Sequence, residues 1–225
     1  NLNLSERGLH ALREVGLYHN VIDQFAVPME DRMIHEQTGP LKSHPYGRAK
    51  KERAFSVSRD LLNIALLDAA EATGKVKINF CRKLESLDFE KGAASFLNEK
   101  TAALEQVSIG REFGPVIGAD GACSKMRDCL NEYGDLGVIS ELLEHGYKEL
   151  CIPSSQESNF RLSSNVLHVW PRGGHMMIAL PNPDKSFTAI LFLPKSGELS
   201  FEGLKDPGRI QSWFQKEFPD AASLM

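Results

Sequence analysis

The short run most suggestive of chemistry is a glycine-rich turn carrying a carboxylate, Gly118-Ala119-Asp120-Gly121. Glycines let a backbone approach a ligand closely, and a carboxylate accepts hydrogen bonds from ligand hydroxyls. Taken alone, the run is equally a plain turn. The standard catalytic constellations are missing: there is no G-x-S-x-G, no H-E-x-x-H, no Walker loop and no complete G-x-G-x-x-G. The seven histidines are scattered without a ligand set or triad and read as structural. The cysteines, at 81, 123, 129 and 151, form no C-x-x-C pair and no zinc spacing. They read as reduced thiols of an intracellular compartment. Glu141 and Glu144 read as the solvated face of a helix. The residues thus point to no catalytic side chain and no metal centre.

The elements that must position the turn follow from periodicity. The apolar run Pro115–Ala119 is read as a strand ending in the turn, with a helix from near Ser124 to about Leu130. Upstream, Ser5–Val15 has helical spacing and Ser5 as N-cap, and Val21–Phe25 is a short second helix. An extended segment covers Met29–His35, and Glu36–Lys51, with its Gly and Pro residues, is a loop. Ala54–Val57 is a strand leading into a helix over Arg59–Thr73, whose apolar face is Leu62, Leu66, Ala69 and Ala70, widened by Leu61 and Ile64. Strands are expected at Val76–Phe80, Leu84–Phe89, Ala93–Leu97 and near Val107. Four more, Tyr147–Ile152, Val166–Trp170, His175–Leu180 and Ser186–Leu193, read as an antiparallel sheet, followed by a helix over Arg209–Phe218. That sheet is apolar on both faces, so both must be covered, one by a helix and the other by a helix or an apolar ligand.

Composition sets the outer limits. The 225 residues are 42% hydrophobic, which rules out a disordered tail. With 26 basic and 30 acidic residues the net charge is −4, which argues against a nucleic-acid partner. No apolar run approaches the roughly 20 residues of a membrane-spanning helix.

With its context, the glycine-rich turn becomes specific. Gly118 to Arg127 resembles the GADGxxSxVR signature of the single-component flavin-dependent aromatic hydroxylases, and Ser58-Arg59-Asp60-Leu61-Leu62-Asn63 resembles their S-R-x-x-L-x segment. Further ordered matches narrow the resemblance to the branch that hydroxylates L-kynurenine. They are Asn1–Gly8, Arg32-Met33-Ile34-His35, Pro45-Tyr46-Gly47, His145–Leu150, Leu167–Arg172, Met177–Asn182, Lys185–Thr188 with Leu191-Phe192, and Phe218–Ala221. The resemblance spans essentially the whole chain. It implies an α/β (overall α+β) architecture: part of a Rossmann-like FAD-binding domain over 1–130, with a substrate-contacting segment near 29–57, and an antiparallel-sheet substrate domain over 131–225.

The resemblance also implies the chemistry. NADPH reduces FAD, reduced flavin captures O2, and a C4a-hydroperoxide hydroxylates L-kynurenine at ring position 3, in tryptophan degradation and NAD biosynthesis. Arg32 and Tyr46 match the pair that holds the substrate carboxylate, a guanidinium being a bidentate carboxylate ligand and a phenol adding one donor. Leu167, Met176, Ile178, Leu180 and Phe192 match the ring pocket, and Ile190 is a further candidate. Arg59 and Asp120 match FAD contacts, as do Leu84, Asn3 and Lys125, although Lys125 departs from the Thr or Ala of the family pattern. A cation at the start of a helix opposes the helix dipole, so Arg59 calls for an anionic neighbour. The dinucleotide fingerprint that precedes Asn1 in the family and the G-D-A-A-H region that follows Met225 are not in the chain. The resemblance therefore implies an internal fragment of low solubility, with membrane contact only through an absent C-terminal segment. The location would be the mitochondrial outer membrane for a eukaryotic parent and the cytoplasm for a bacterial one. A related hydroxylase with another aromatic substrate, or a non-catalytic fragment, is the alternative.

Overall fold

The computed structural model describes residues 1–47, 52–110 and 114–225. Residues 48–51, the end of the expected loop, lie outside the described residues. In chain order the first elements are β1 (Leu2–Leu4), α1 (Glu6–Glu14), α2 (Tyr18–Phe25), β2 (Ala26–Met29), β3 (Asp31–Ile34), β4 (Lys42–Pro45), β5 (Ala54–Val57) and α3 (Arg59–Ala72). Then come β6 (Arg82–Asp88), β7 (Ala93–Asn98), β8 (Ala103–Ser108) and α4 (Lys125–Gly134). The last are β9 (His145–Ile152), β10 (Val166–Pro171), β11 (Met176–Pro181), β12 (Phe187–Pro194), α5 (Pro207–Glu217) and α6 (Pro219–Ala222).

These elements form two compact units, Asn1–Thr73 with Leu143–Met225, and Gly74–Leu142. The boundary drawn at 130 from the sequence falls within α4, inside the second unit. No helix among the described residues is long and apolar enough to cross a membrane.

The first unit holds two sheets. The three-stranded sheet has the order β1-β5-β2, with both pairings antiparallel. Leu9 and Leu12 of α1 and Val21 and Ile22 of α2 pack with Phe55, Val57 and Leu62 into its core. Ser58 caps α3, its Oγ accepting a hydrogen bond from the Leu61 N–H. Only Leu62 of the expected apolar face of α3 is buried; Leu61, Ile64 and Leu66 are exposed. The helix packs through its first two turns, where Leu62 and Ala65 meet the core, and Ala69 and Ala70 further along are half-buried.

The second sheet differs from the expected four-stranded antiparallel one. It has six strands in the order β4-β3-β10-β11-β12-β9, and β3 pairs parallel with β10. Both β3 and β4 come from the first half of the chain, β4 from within the stretch read as a loop. The reason is the edge of β10. This strand is buried along most of its length, and an unpaired buried edge would leave backbone donors and acceptors unsatisfied. The Glu30 N–H bonds to the Asn165 carbonyl and the His35 N–H to the Val169 carbonyl, both at 2.8 Å, extending the pairing past β3 at each end.

One face of this sheet carries Trp170, Met177, Ala179, Phe187 and Leu193, covered by Trp213 of α5 with Phe218 and Ala221. Asp206 caps α5 by accepting from the Arg209 N–H at 2.8 Å, and Pro207 starts it.

The second unit is an antiparallel β6-β7-β8 meander with α4 against β6. Ser124 caps α4, its Oγ accepting from the Arg127 N–H at 3.0 Å. Three expected elements are absent from this unit. Val76–Phe80 is not a strand, since Val76 and Phe80 are exposed and left-handed residues, Gly74 and Cys81, flank the run. Alternation without a sheet to bury against makes no strand. Pro115–Ala119 likewise has no regular structure, with Val116 and Ile117 exposed. Glu141 sits in an exposed irregular stretch rather than on a helix, as does Glu144 just beyond the unit.

Candidate functional site

Strand β3 sets the first functional side chain. Because successive side chains alternate across a strand, the register of the six-stranded sheet decides which residues share a face. Arg32 lies opposite Leu167; Val169 pairs Ile178, and Ile178 pairs Ile190. Met176 pairs Phe192, and Leu180 pairs Thr188. Arg32, Leu167, Met176, Ile178, Leu180 and Phe192 therefore all project from one face, opposite the face that α5 and α6 cover. On that face Leu167 and Leu180 form a buried cluster with Met29 and Ala54, against which Tyr46, Val169, Ile178 and Ile190 pack. Met176 and Phe192 lie outside the cluster; Phe192 stands 6.3 Å from the Tyr147 ring.

Tyr46 follows β4 directly and is held by its N–H bonding to the Glu30 carbonyl at 3.0 Å. The Arg32 guanidinium sits over its ring, 4.0 Å from the centroid. Asn3 on β1 donates from Nδ2 to the Tyr46 hydroxyl at 3.4 Å. Burial pushes the Tyr46 phenol up, and the Asn3 bond and Arg32 charge pull it back only in part. The phenol is therefore protonated at neutral pH, and its O–H is available to donate.

These residues line a cavity of about 710 Å³ with Tyr18, Arg53 and Phe55. Arg53 stacks 5.3 Å from the Phe55 ring centroid. Arg13 of the same wall is ion-paired to Glu6. The described cavity wall includes none of Leu167, Met176, Ile178, Leu180 and Phe192; Tyr46 belongs to both the wall and the apolar cluster.

The candidate cofactor residues are divided between the units. In the first, Asn3 is engaged with Tyr46, and Arg59 stands exposed as the first residue of α3 without an ion pair among the described residues. In the second, Leu84 is half-buried on β6, opposite Phe96. Asp120 precedes α4 and caps it: its carboxylate accepts from the Ser124 hydroxyl at 2.5 Å and from the Met126 N–H at 3.0 Å. Those bonds, the Ser124 one foremost, hold the Asp120 carboxyl below the usual range. Gly121 has φ +81°, a conformation that favours glycine. Lys125 is the half-buried first residue of α4.

Sequence reasoning missed Arg53, for which no motif offered a signal. It also missed a polar chain behind the sheet, buried at its two histidines. Asp220 Oδ2 lies 2.6 Å from His35 Nδ1, His35 Nε2 lies 2.8 Å from His168 Nδ1, and His168 Nε2 lies 2.9 Å from the Ser163 carbonyl. The only signal was that His35, His168 and Asp220 each fall within a segment of family resemblance.

No family model matches the chain. Among curated proteins it is 43% identical over all 225 residues to the kynurenine 3-monooxygenase of Myxococcus xanthus, 47% of whose length it covers. It is 41% identical to that of Xanthomonas oryzae pv. oryzae and 39% to that of Stenotrophomonas maltophilia, covering 48% of each. The chain thus spans about half the length of the curated relatives it matches. Among solved structures, PqsL of Pseudomonas aeruginosa in complex with 2-aminobenzoylacetate superposes with TM-score 0.68 at 14% identity, over 99% of this chain and 59% of that one. HpxO of Klebsiella pneumoniae, complexed with FAD and uric acid, gives 0.65 at 12% identity, over 100% and 55%. The tetrameric 2-methyl-3-hydroxypyridine-5-carboxylic acid oxygenase gives 0.68 at 17%, over 99% and 55%. At such identities these structures establish a shared fold alone. On that fold, and over its entire length, the chain is a homologue of the kynurenine 3-monooxygenases.

Proposed function

We propose that this chain carries the substrate pocket and part of the flavin site of an FAD-dependent monooxygenase that hydroxylates L-kynurenine at ring position 3, with NADPH and O2 as co-substrates. The observation that carries the reading is Arg32 stacked on Tyr46 in a cavity wall, on the sheet face that bears the apolar candidates. An amino acid with an aryl ketone side chain has the matching chemistry, a carboxylate at one end and an apolar ring at the other.

Arg32 binds the carboxylate through its fork of N–H donors, and the Tyr46 O–H adds a third donor. Asn3, by donating to the Tyr46 oxygen, turns the phenolic proton outward. Leu167, Ile178 and Leu180, with Met176 and Phe192 beyond them, hold the ring and exclude water. FAD, when bound, would supply the redox chemistry, with electrons from NADPH, one oxygen atom of O2 going to the ring and the other to water. Arg59, exposed at the start of α3 and without an ion pair among the described residues, fits an anionic cofactor. Asp120 keeps free lone pairs on both oxygens and fits a hydroxylated chain; Leu84, Asn3 and Lys125 complete the candidate set. Residues 1–130 then serve the cofactor and 131–225 the substrate, with β3 reaching from one to the other. The bacterial relatives favour the cytoplasmic location, and any membrane contact would be through a more C-terminal segment.

The test is turnover of L-kynurenine to its 3-hydroxy product by FAD-loaded protein, in the wild type and in Arg32→Ala. The variant should raise KM by about 10- to 100-fold, the loss of a charge-assisted pair, with kcat much less affected. An unchanged KM sinks the carboxylate assignment. Turnover of other aromatic carboxylates but not L-kynurenine sinks the substrate.

A further inference from the structure

The polar chain Asp220–His35–His168, buried at its two histidines and open to water at Asp220, lies on the covered face of the six-stranded sheet, behind the site rather than in it. His35 and His168 are buried, and the His35 ring stacks on Trp170 with centroids 4.1 Å apart. The chain has three hydrogen-bonded junctions, and each needs a proton between its two heavy atoms. The Ser163 carbonyl only accepts, so His168 Nε2 carries a hydrogen. The 2.8 Å contact between the rings needs a second, and the 2.6 Å contact with Asp220 a third. Two neutral imidazoles and a carboxylate supply only two. One more proton must be present, on Asp220 or on a ring; Asp220 is open to water and accepts from the Trp170 N–H, which favours the carboxylate and leaves the proton on an imidazolium.

The surroundings decide which ring bears the charge. Burial pushes His168 down to about 4, which keeps it neutral with a bare Nδ1. Burial opposes ionisation of Asp220, but the His35 bond and the Trp170 Nε1–H, 3.0 Å from both oxygens, outweigh it and bring the carboxyl to about 2. The other charged groups at this spot are Arg172 and the end of α5. Arg172 donates to the His35 carbonyl at 2.8 Å and to the Glu217 carbonyl at 2.6 Å, and the Glu217 carboxylate lies 3.6 Å from His175.

We propose that His35 is a buried imidazolium that latches strand β3 to β10 and to α6, and so acts as the positioning residue for Arg32. Arg32 and His35 are three residues apart at the end of one strand and face opposite sides. What fixes His35 behind the sheet fixes the strand that presents Arg32 in front of it. The latch rests on the geometry of this cluster; its consequence for L-kynurenine rests on the function proposed above.

Ring-nitrogen NMR of the 15N-histidine-labelled protein tests the latch without any ligand. At pH 7.5 His35 should show both ring nitrogens protonated, and His168 only one. A bare ring nitrogen on His35 overturns the proposal. In Asp220→Asn, His35 should fall to the neutral form at that pH; retention of both protons overturns Asp220 as its partner. Amide hydrogen exchange in β3 should quicken by about tenfold or more in His35→Gln, the loss of one buried and one half-buried hydrogen bond, while β7 of the other unit is unchanged. Unaltered β3 exchange overturns the positioning role. In the FAD-loaded enzyme His35→Gln should raise KM for L-kynurenine about tenfold with kcat within about threefold, since only uniform binding is lost. Wild-type protein that does not turn over L-kynurenine defeats the proposed substrate, while the ring and exchange readouts still decide the latch.

Discussion

Arg32 and Tyr46 show what single residues can and cannot disclose. An arginine in an extended segment and a tyrosine in a loop carry no joint meaning by spacing. The resemblance paired them as carboxylate ligands, and in the structure the guanidinium stands 4.0 Å above the phenol ring. Asn3 was expected beside the cofactor; in the structure its amide reaches the Tyr46 hydroxyl, a contact between residues 43 apart that no local pattern encodes. The expected division of labour gives a sharp test. Tyr46→Phe removes one donor to a carboxylate and leaves the ring that supports Arg32. The expected cost is about 1 kcal/mol of substrate binding, a KM raised roughly fivefold with kcat nearly unchanged in steady-state assays. Tyr46→Ala removes the ring as well and should cost distinctly more. Equal effects from the two variants would show that the hydroxyl does not touch the substrate.

At the level of elements, the periodicity of strands and helices was legible wherever both the pattern and a partner were local. Ala54–Val57 and the β10 to β12 meander follow directly from short, largely apolar runs bounded by turn residues. What alternation cannot report is who sits at an edge. The parallel pairing of β3 with β10 joins residues 31–34 to residues 166–169, and it turned an expected meander into a mixed sheet. Val76–Phe80 failed for the converse reason, having the alternation and no sheet to join.

The junction of β10 with α6 makes a pH prediction. His168 on β10 is held at about 4, against 6.5 when unfolded, so the unfolded chain binds the proton more readily between those values. The stability it contributes is complete above about pH 6.5 and lost as pH falls toward 4, by about 3 kcal/mol at one pKa unit per 1.4 kcal/mol. Asp220, held at about 2 against 3.8, keeps its contribution above 3.8 and loses it as pH falls through 2. Urea unfolding should therefore show the first unit weakening from pH 6.5 downward, and His168→Gln should flatten that slope above pH 4. A slope unchanged in His168→Gln would place the titrating group elsewhere.

On the scale of the whole chain, the sequence suggested a break near 130 because texture changes there, from mixed α/β to strand-rich. The compact units ignore that change, because the unit that ends at Thr73 resumes at Leu143. The insertion between them is invisible to composition, since both of its borders are ordinary polar and apolar residues. It has a mechanical consequence that can be measured. Ile139, Leu142 and Leu143 are 85%, 90% and 80% exposed in a stretch without regular structure, which is what a protease specific for large apolar residues requires. Thermolysin should cut there first. A cut at this point divides the chain into a piece ending near residue 139 and one beginning there, yet the first unit draws on both. Strand β3 from the first piece is bonded to β10 of the second, and Met29 and Ala54 are buried with Leu167 and Leu180. The nicked protein should therefore migrate as one species in gel filtration and separate only in denaturant. Pieces that part under native conditions would mean that the six-stranded sheet does not bind the two halves of the chain together, and the face that presents Arg32 beside Leu167 would lose its basis.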